Sequence, residues 1–245
     1  MTTVVLVRHG RTSANASGVL AGRSPGVALD ETGREQAAAL AQRLTGAPLA
    51  AIVTSPMQRC RQTAAAVAEH HGAVPVTVEQ GLTECGYGDW TGRPLKELAK
   101  DPLWRVVQTQ PSAVRFPGGE SLIEMASRAQ QSIRDLDAAI AAEHGPDAVW
   151  VAVSHGDVIK AIVAEALGSH LDSFQRVLID PASASVVRLT ADRPYVACVN
   201  TTAGDLAAML TPPKKPRRGK GRGRGRATGS GTDAPVGGGL GTQAR

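Results

Sequence analysis

Residues 3–10 have the sequence Thr3-Val4-Val5-Leu6-Val7-Arg8-His9-Gly10, in which a short apolar run leads directly into an arginine and a histidine. A continuous β-branched run of this length is typical of a strand that is buried on both faces of a parallel sheet. The pattern occurs again at 148–156, where an apolar run ends in Ser154-His155-Gly156. Because ligands of open α/β sheets bind beyond the carboxyl ends of the strands, the two runs predict one site that contains both histidines.

Strands and helices alternate along the rest of the chain. Apolar spacing predicts helices at 32–45, 55–71, 122–140 and 157–167, and further strands at 51–54, at 74–78 and as a hairpin within 185–200. The predicted helix starts are Thr32 with Glu35, Ser55 followed by Pro56, and Ser121 with Glu124. Residues 81–120 have no regular period and predict a long excursion with one helix at 94–107. We therefore predict an α/β fold, a three-layer α/β/α sandwich around a mostly parallel, mixed sheet.

The net charge of +5 is distributed unevenly over the 245 residues. Residues 211–245 hold nine Lys or Arg residues and one acid, which gives +8, so the remainder of the chain carries −3. From Pro212 the composition is rich in Pro, Lys, Arg and then Gly, which cannot bury a core. We predict a catalytic domain over 1–205 and a disordered basic tail over 206–245. The run at 214–226 is a candidate for weak contact with polyanions or nucleic acid, although it lacks aromatic residues for base stacking.

Several classes of protein are disfavoured by what the sequence lacks. The three cysteines Cys60, Cys85 and Cys198 form no CxxC pair, so we expect reduced thiols rather than a disulfide framework or a thiolate zinc site. No HExxH or P-loop motif is present, and we expect neither a metal nor another cofactor. No apolar run approaches the roughly 20 residues of a membrane-spanning helix. With no secretory leader pattern at the start, the prediction is a cytoplasmic protein without membrane contact.

Other polar residues are expected to lie near the two histidines. Arg8 adjoins His9, Arg59 follows the end of the second predicted strand, and Asn15 lies on the segment that leaves the first strand. Two guanidinium groups offer paired donors to phosphate oxygens, so the set predicts an anion-binding pocket.

These residues lie in motifs that resemble those of one family. The segments are Leu6-Val7-Arg8-His9-Gly10-Arg11-Thr12 with Asn15, 54–64 around Arg59, 82–92 around Glu84, Pro117-Gly118-Gly119-Glu120-Ser121, and Val153-Ser154-His155-Gly156. Together they resemble, in order and over residues 3–200, the motifs of the histidine phosphatase superfamily with its phosphoglycerate mutase-like fold. A single RHG tripeptide would be a weak signal, whereas five ordered motifs are a specific one.

The resemblance implies a role for each matched position. His9 would be the nucleophile that forms a phosphohistidine, and Glu84 would donate a proton to the leaving oxygen. The phosphoryl oxygens would be bound by Arg8, Arg59 and His155, with Asn15 and Gly156 as further contacts to the substrate. The implied activity is that of a metal-independent phosphomonoesterase acting on a small phosphorylated metabolite.

Two rival functions remain open from the sequence. The first is a phosphoglycerate mutase-type phosphomutase, which the absence of an Arg-Arg pair between 85 and 120 disfavours. The second is a non-catalytic protein that binds phosphorylated ligands or associates with nucleic acid, which the complete set of matched catalytic positions disfavours. The sequence leaves the oligomeric state open, a homodimer included.

Two interpretations also remain open for the aromatic residues of the excursion, Tyr87, Trp90, Trp104 and Phe116. They form either a small satellite core or a cap that lines the pocket. Arg93, Arg105 and Arg115 in the same region are candidates to meet a second acidic group of the substrate.

Overall fold

The structure is a computed structural model that describes residues 1–72 and 74–210. Its strands are β1 (Thr2–Arg8), β2 (Leu49–Thr54), β3 (Val76–Val78), β4 (Val149–Ser154), β5 (Ala184–Leu189) and β6 (Tyr195–Thr201). Its α-helices are α1 (Ser13–Ser17), α2 (Glu31–Leu44), α3 (Gln58–Ala68), α4 (Leu95–Leu98), α5 (Pro102–Thr109), α6 (Leu122–His144), α7 (Gly156–Ala166) and α8 (Leu206–Leu210). Short 3-10 turns occur at Gln80–Leu82, Gly88–Trp90, Pro111–Ala113 and Leu171–Arg176.

The strands form one mixed sheet in the order β3-β2-β4-β1-β5-β6. The pairs among β1, β2, β3 and β4 are parallel, whereas β5 pairs antiparallel with both β1 and β6. The predicted mixed sheet and its terminal hairpin are therefore confirmed. Since β1 and β4 are parallel neighbours with Arg8 opposite Ser154, their carboxyl ends lie side by side.

Helices cover both faces of this sheet. In β1, Val4 and Leu6 pack into the cluster that contains the apolar face of α6 and most of α7, whereas Val5 and Val7 pack with α2 and α3. This alternation follows from the two-residue period of a strand, and it explains why every residue of β1 is buried. The three-layer α/β/α sandwich is confirmed.

Two of the predicted helix starts are wrong. The cap of α2 is Asp30, whose Oδ1 accepts a hydrogen bond from the N–H of Gly33 at 2.7 Å, so Thr32 lies inside the helix. Helix α3 begins at Gln58 with Met57 as its cap, and Ser55 instead hydrogen-bonds a residue of another segment. The capping box of Ser121 and Glu124 is present at the start of α6 as predicted.

The long excursion differs from its prediction in detail. Two short helices, α4 and α5, replace the single predicted helix at 94–107. Its aromatic residues form a packed cluster, in which the ring of Phe116 lies 5.0 Å from that of Tyr87 and 5.2 Å from that of Trp90. Trp104 stacks on Trp90, and the other three rings are almost fully buried in the main core. These aromatic side chains therefore pack residues 81–120 against the main core and do not line an open pocket.

The described chain continues beyond the predicted domain boundary at residue 205. Helix α8 follows β6 and buries Leu206 and Leu210 against the cluster that contains α2 and α3. The first five residues of the predicted tail are therefore part of the folded domain. The remainder of that tail, including the basic run at 214–226, lies outside the described residues.

Candidate active site

The two motif histidines lie next to each other at the carboxyl edge of the sheet. His9 follows β1 and His155 follows β4, and the N–H of His9 donates to the carbonyl of Ser154 at 3.0 Å. The two imidazole rings are 5.3 Å apart between centroids and nearly edge to face. Both side chains are buried, with His9 only 4% exposed. The parallel pairing of β1 with β4 thus brings together two residues that are 146 positions apart.

The ring of His9 is held in one orientation by hydrogen bonds at both nitrogens. Its Nδ1 lies 2.7 Å from the carbonyl oxygen of Gly10, and its Nε2 accepts from the Nε of Arg59 at 3.2 Å. A carbonyl can only accept, so Nδ1 carries the proton and Nε2 presents the lone pair. Burial, followed by the charges of Arg59 and Arg8, lowers the pKa of His9 well below its usual value. The imidazole is therefore neutral near pH 7, which is the nucleophilic form.

Gly10 permits a close approach between the backbone after β1 and the start of α2. A Cβ at Gly10 would overlap the carbonyl of Gly33 in the first turn of α2. The backbone after β1 is thus packed directly against the start of α2. In addition, the N–H of Gly10 donates to the hydroxyl of Thr63 on α3, at 3.1 Å.

Arg59 connects the two histidines and keeps one donor group unsatisfied. Its Nη2 donates to the carbonyl of Gly22 at 2.8 Å and lies 3.2 Å from Nδ1 of His155. Its Nη1 is buried and has no hydrogen-bond partner among the described residues. A buried charged donor without a partner costs free energy, and a bound anion would remove that cost. This guanidinium is therefore well suited to bind a phosphoryl group beside Nε2 of His9.

Arg8 lies fully buried at the end of β1. Its Nη1 donates to the carbonyl of Ile179 at 2.7 Å, in the segment that leads into β5. Burial lowers the pKa of Arg8, and the carboxylates of Glu84, Asp157 and Asp180 partly oppose that effect. Even with a lowered pKa, a guanidinium remains charged at neutral pH and adds to the positive potential of the site.

His155 is oriented by Ser55, the residue that was predicted to cap α3. The Oγ of Ser55 lies 2.7 Å from Nε2 of His155. Burial, and then the charge of Arg59, lowers the pKa of His155 well below its usual value. The Ser-Pro pattern gave no signal of this contact, because it is equally typical of an ordinary helix start.

Glu84 lies within reach of His155 although it comes from the irregular excursion. Its Oε2 is 3.7 Å from Nδ1 of His155, and its Oε1 accepts from the N–H of Cys85 at 2.9 Å. Burial, followed by the charge of Asp157, raises the pKa of Glu84 to about 7 against the opposing charges of Arg59 and Arg8. A carboxyl with this pKa is partly protonated near neutral pH and can act as an acid or a base.

The two remaining predicted substrate contacts are Asn15 and Gly156. Asn15 lies in α1, and its Oδ1 accepts from the N–H and the hydroxyl of Thr12, at 3.1 and 2.8 Å. Its amide oxygen is therefore engaged within the helix cap, and a contact with phosphate stays a prediction. Gly156 is the first residue of α7, where a helix leaves its N–H groups without internal partners.

A cleft of about 940 Å³ runs along the start of α3, where Met57 and Gln58 in its lining directly precede Arg59 in the chain, although Arg59 and His9 themselves do not line it. Its lining comes from the 23–26 loop, the start of α3 and the strand β3, and includes Arg23, Pro56, Met57, Gln58, Arg61, Gln62, Val76 and Val78. Arg61 is exposed, and no described acidic side chain forms an ion pair with it. This cleft is not lined by the three arginines predicted as candidates to meet a second acidic group of the substrate, Arg93, Arg105 and Arg115. Arg115 instead pairs with Glu124 on the surface.

The described part of the chain contains neither a metal-binding cluster nor a helix that could span a membrane. Within 1–72 and 74–210, no group of three or more His, Cys, Asp or Glu side chains is arranged to hold a metal ion. None of the helices in those ranges combines the length and the hydropathy of a membrane-spanning segment. Cys60, Cys85 and Cys198 form no disulfide.

Known proteins are similar to this chain in both sequence and fold. The glucosyl-3-phosphoglycerate phosphatase of Mycolicibacterium vanbaalenii is 33% identical over 192 residues, which are 76% of this chain and 83% of that protein. A probable phosphoglycerate mutase of Erwinia tasmaniensis is 32% identical over 84% of this chain and 94% of its own length. The crystal structure of a mycobacterial glucosyl-3-phosphoglycerate phosphatase superposes with a TM-score of 0.72 at 27% identity, covering 81% of this chain and 98% of that one.

The family assignment rests on nearly the whole folded domain. The family model of the histidine phosphatase superfamily (branch 1) matches residues 4–202. This range contains every site residue discussed above. This chain therefore belongs to the histidine phosphatase superfamily.

Proposed function

We propose that this chain is a metal-independent phosphomonoesterase that hydrolyses a small phosphorylated metabolite through a phosphohistidine on His9. The observation that carries the proposal is the contact between the Nε2 of His9 and Arg59 at 3.2 Å. The neutral imidazole of His9, which is the proposed nucleophile, thus lies directly beside a buried guanidinium that has an unsatisfied donor. Phosphoryl transfer depends chiefly on positioning and on stabilising charge, and fixed guanidinium groups supply both.

The first half-reaction transfers the phosphoryl group to the protein. Nε2 of His9 attacks phosphorus, and the bond from phosphorus to the leaving oxygen breaks. Glu84 gives its proton to that oxygen, so the leaving group departs as an alcohol. The guanidinium groups of Arg8 and Arg59 stabilise the charge on the phosphoryl oxygens, and His155 is proposed as a further contact to those oxygens.

The second half-reaction returns the enzyme to its starting state. A water molecule attacks the phosphohistidine, and the Glu84 carboxylate formed in the first step accepts the proton of that water. The bond between phosphorus and Nε2 then breaks and inorganic phosphate leaves. A pKa near 7 suits Glu84 to both roles, since proton transfer is most efficient when the pKa is close to the working pH.

We infer that the organic part of the substrate lies in the cleft along α3, whose lining includes the two residues before Arg59. A volume of about 940 Å³ exceeds what a phosphoryl group needs, so the substrate can carry a sizeable organic part. Apolar side chains such as Met57 and Val78 suit a carbon skeleton, whereas Arg61 suits an acidic group on it. We accordingly infer that substrates with a second anionic group are preferred.

The test of the proposed function is hydrolysis of p-nitrophenyl phosphate in the presence of EDTA. Turnover that is abolished in His9→Ala and retained in His144→Ala, whose imidazole is on the surface, supports the proposal. Equal turnover by His9→Ala would overturn it. The phosphomutase alternative predicts instead little release of phosphate, with exchange of the phosphoryl group between phosphoglycerates.

A cytoplasmic location stays a prediction. So does contact of the 214–226 run with polyanions.

A further inference from the structure

The backbone of Glu84 is held by two arginine side chains from distant segments. The Nε of Arg23 donates to the carbonyl oxygen of Glu84 at 2.7 Å, and Nη2 of Arg128 donates to the same oxygen at 3.1 Å. Arg128 also donates from Nη1 to the carbonyl of Gly81 at 2.7 Å. The carbonyl of Glu84 thus accepts from two guanidinium groups, and that of Gly81 accepts from one of them. These contacts fix the path of the chain through 81–84.

Both arginines are joined by the carboxylate of Glu120. Its Oε1 accepts from Nε of Arg128 at 2.7 Å, and its Oε2 accepts from Nη2 of Arg128 and from Nη2 of Arg23, each at 3.0 Å. The N–H of Gly86 donates to Oε2 at 3.0 Å, so Glu120 holds the chain on the far side of Glu84 as well. We call Arg23, Glu120 and Arg128 the Glu120 network.

The Glu120 network is partly shielded from water. The side chains of Glu120 and Arg128 are 15% and 24% exposed. Burial opposes ionisation of Glu120, but the hydrogen bonds from Arg128 and Gly86 and the charges of both arginines hold its pKa below the usual value. Paired donors on one carboxylate also fix direction, which a single exposed ion pair does not.

The carboxyl group of Glu84 has little else to fix its position. Among the described residues its side chain has a hydrogen bond from the next residue, Cys85, and a contact of 3.7 Å with His155. The place of the carboxyl therefore follows the backbone of 81–86, which is irregular and has no strand or α-helix to define it.

We propose that the Glu120 network positions Glu84 for proton transfer, with Arg23, Glu120 and Arg128 as positioning residues that do not touch the substrate phosphoryl group. This inference rests on the proposed function, because it takes Glu84 as the proton donor. A displacement of about 1 Å in a catalytic group can cost roughly 100-fold in rate, so loss of one arm is expected to be measurable.

The experiment compares two substrates that differ in their need for an acid. The leaving group of p-nitrophenyl phosphate departs readily as an anion, whereas that of glycerol phosphate must be protonated. For Arg128→Met we expect kcat on glycerol phosphate to fall about 10- to 100-fold, and kcat on p-nitrophenyl phosphate to fall far less. The matched control is Arg115→Met, which removes a surface ion pair with Glu124, a residue of the same helix as Arg128. This variant is expected to leave both rates unchanged.

A double-variant cycle separates positioning from general weakening of the fold. If Arg128 acts through Glu84, Arg128→Met adds little to the loss that Glu84→Gln already causes on glycerol phosphate. An equal fall on both substrates, or a full additional loss in the Glu84→Gln background, would overturn the inference. If Arg128→Met does not fold, Arg23→Met removes the other arm of the Glu120 network and tests the same selectivity.

The same measurements distinguish failure of the proposed function from failure of the positioning role of the Glu120 network. Wild-type protein inactive on both substrates, or turnover that survives His9→Ala, refutes the phosphatase itself. Normal dependence on His9 combined with a Glu84→Gln variant that loses both substrates equally refutes only the role of Glu84 and its positioning.

Discussion

Replacing Glu84 by Gln should stabilise the folded protein at alkaline pH and have no such effect in acid. The side chain is 4% exposed, and burial raises its pKa from 4.5 to about 7. Ionisation is therefore more costly in the folded protein than in the unfolded chain. Gln has nearly the same shape and can still accept the hydrogen bond from Cys85, but it carries no charge.

The size of the effect follows from the pKa. One pKa unit corresponds to about 1.4 kcal/mol, so a rise from 4.5 to about 7 corresponds to about 3 kcal/mol. Below pH 4.5 both states hold the proton and Glu84 has no electrostatic cost. Between pH 4.5 and 7 the unfolded chain loses the proton while the folded protein keeps it, so stability falls as pH rises. Above pH 7 the cost is constant.

The assay is urea unfolding of the wild type and the Glu84→Gln variant at pH 5, 6, 7 and 8. The difference in free energy of unfolding should grow with pH and level off near 3 kcal/mol. Glu124→Gln is the matched control, because that carboxylate lies on the surface and its pKa is lowered by a hydrogen bond from Arg115. No gain is expected for it at any pH. A Glu84→Gln variant that is equally or less stable at pH 8 would refute the reasoning.

Three further predictions concern activity and stability. With an alkyl phosphate, kcat of the wild type should fall as pH rises through about 7, and this limb should be missing from the pH profile of Glu84→Gln; a retained limb would exclude Glu84 as its source. Ser55→Ala leaves Nε2 of His155 without its 2.7 Å partner, so urea unfolding should show a loss of about 1–3 kcal/mol, and steady-state kinetics a lower kcat. Arg61→Ala should raise KM for 3-phosphoglycerate but not for glycerol 3-phosphate, which lacks the carboxylate; an equal change in both would remove Arg61 from substrate recognition.

The parts of the fold that the sequence predicts are those that depend on local patterns. The apolar run of β1 is buried on both faces, and the capping box of Ser121 starts α6 as predicted. The ends of the predicted strands also indicate that His9 and His155 lie close together, because parallel strands align their carboxyl ends.

The two wrong helix starts have different causes. The hydroxyl of Ser55 bonds His155, 100 residues away, so the helix starts three residues later than its pattern indicates. At α2 the cap is Asp30, whose carboxylate accepts from the N–H of Gly33, so the helix begins before the predicted cap Thr32.

The position of Glu84 illustrates what no local pattern contains. The excursion around it has neither helical nor strand periodicity, and its path is set by Arg23, Glu120 and Arg128 from three separate segments. The motif around Glu84 indicated its role through a resemblance. Its raised pKa and its approach to His155 follow only from tertiary packing.

The central claim is that His9 accepts the phosphoryl group, and trapping of the phosphoenzyme tests it most directly. Acid-free rapid quenching of the enzyme with p-nitrophenyl phosphate, followed by mass spectrometry of its peptides, should find one phosphoryl group on His9. A burst of p-nitrophenol equal to the enzyme concentration should accompany it if hydrolysis of the phosphohistidine is the slower step. The label should be absent from His9→Ala. Turnover without a phosphoenzyme in the wild type, or a label on another residue, would contradict the account.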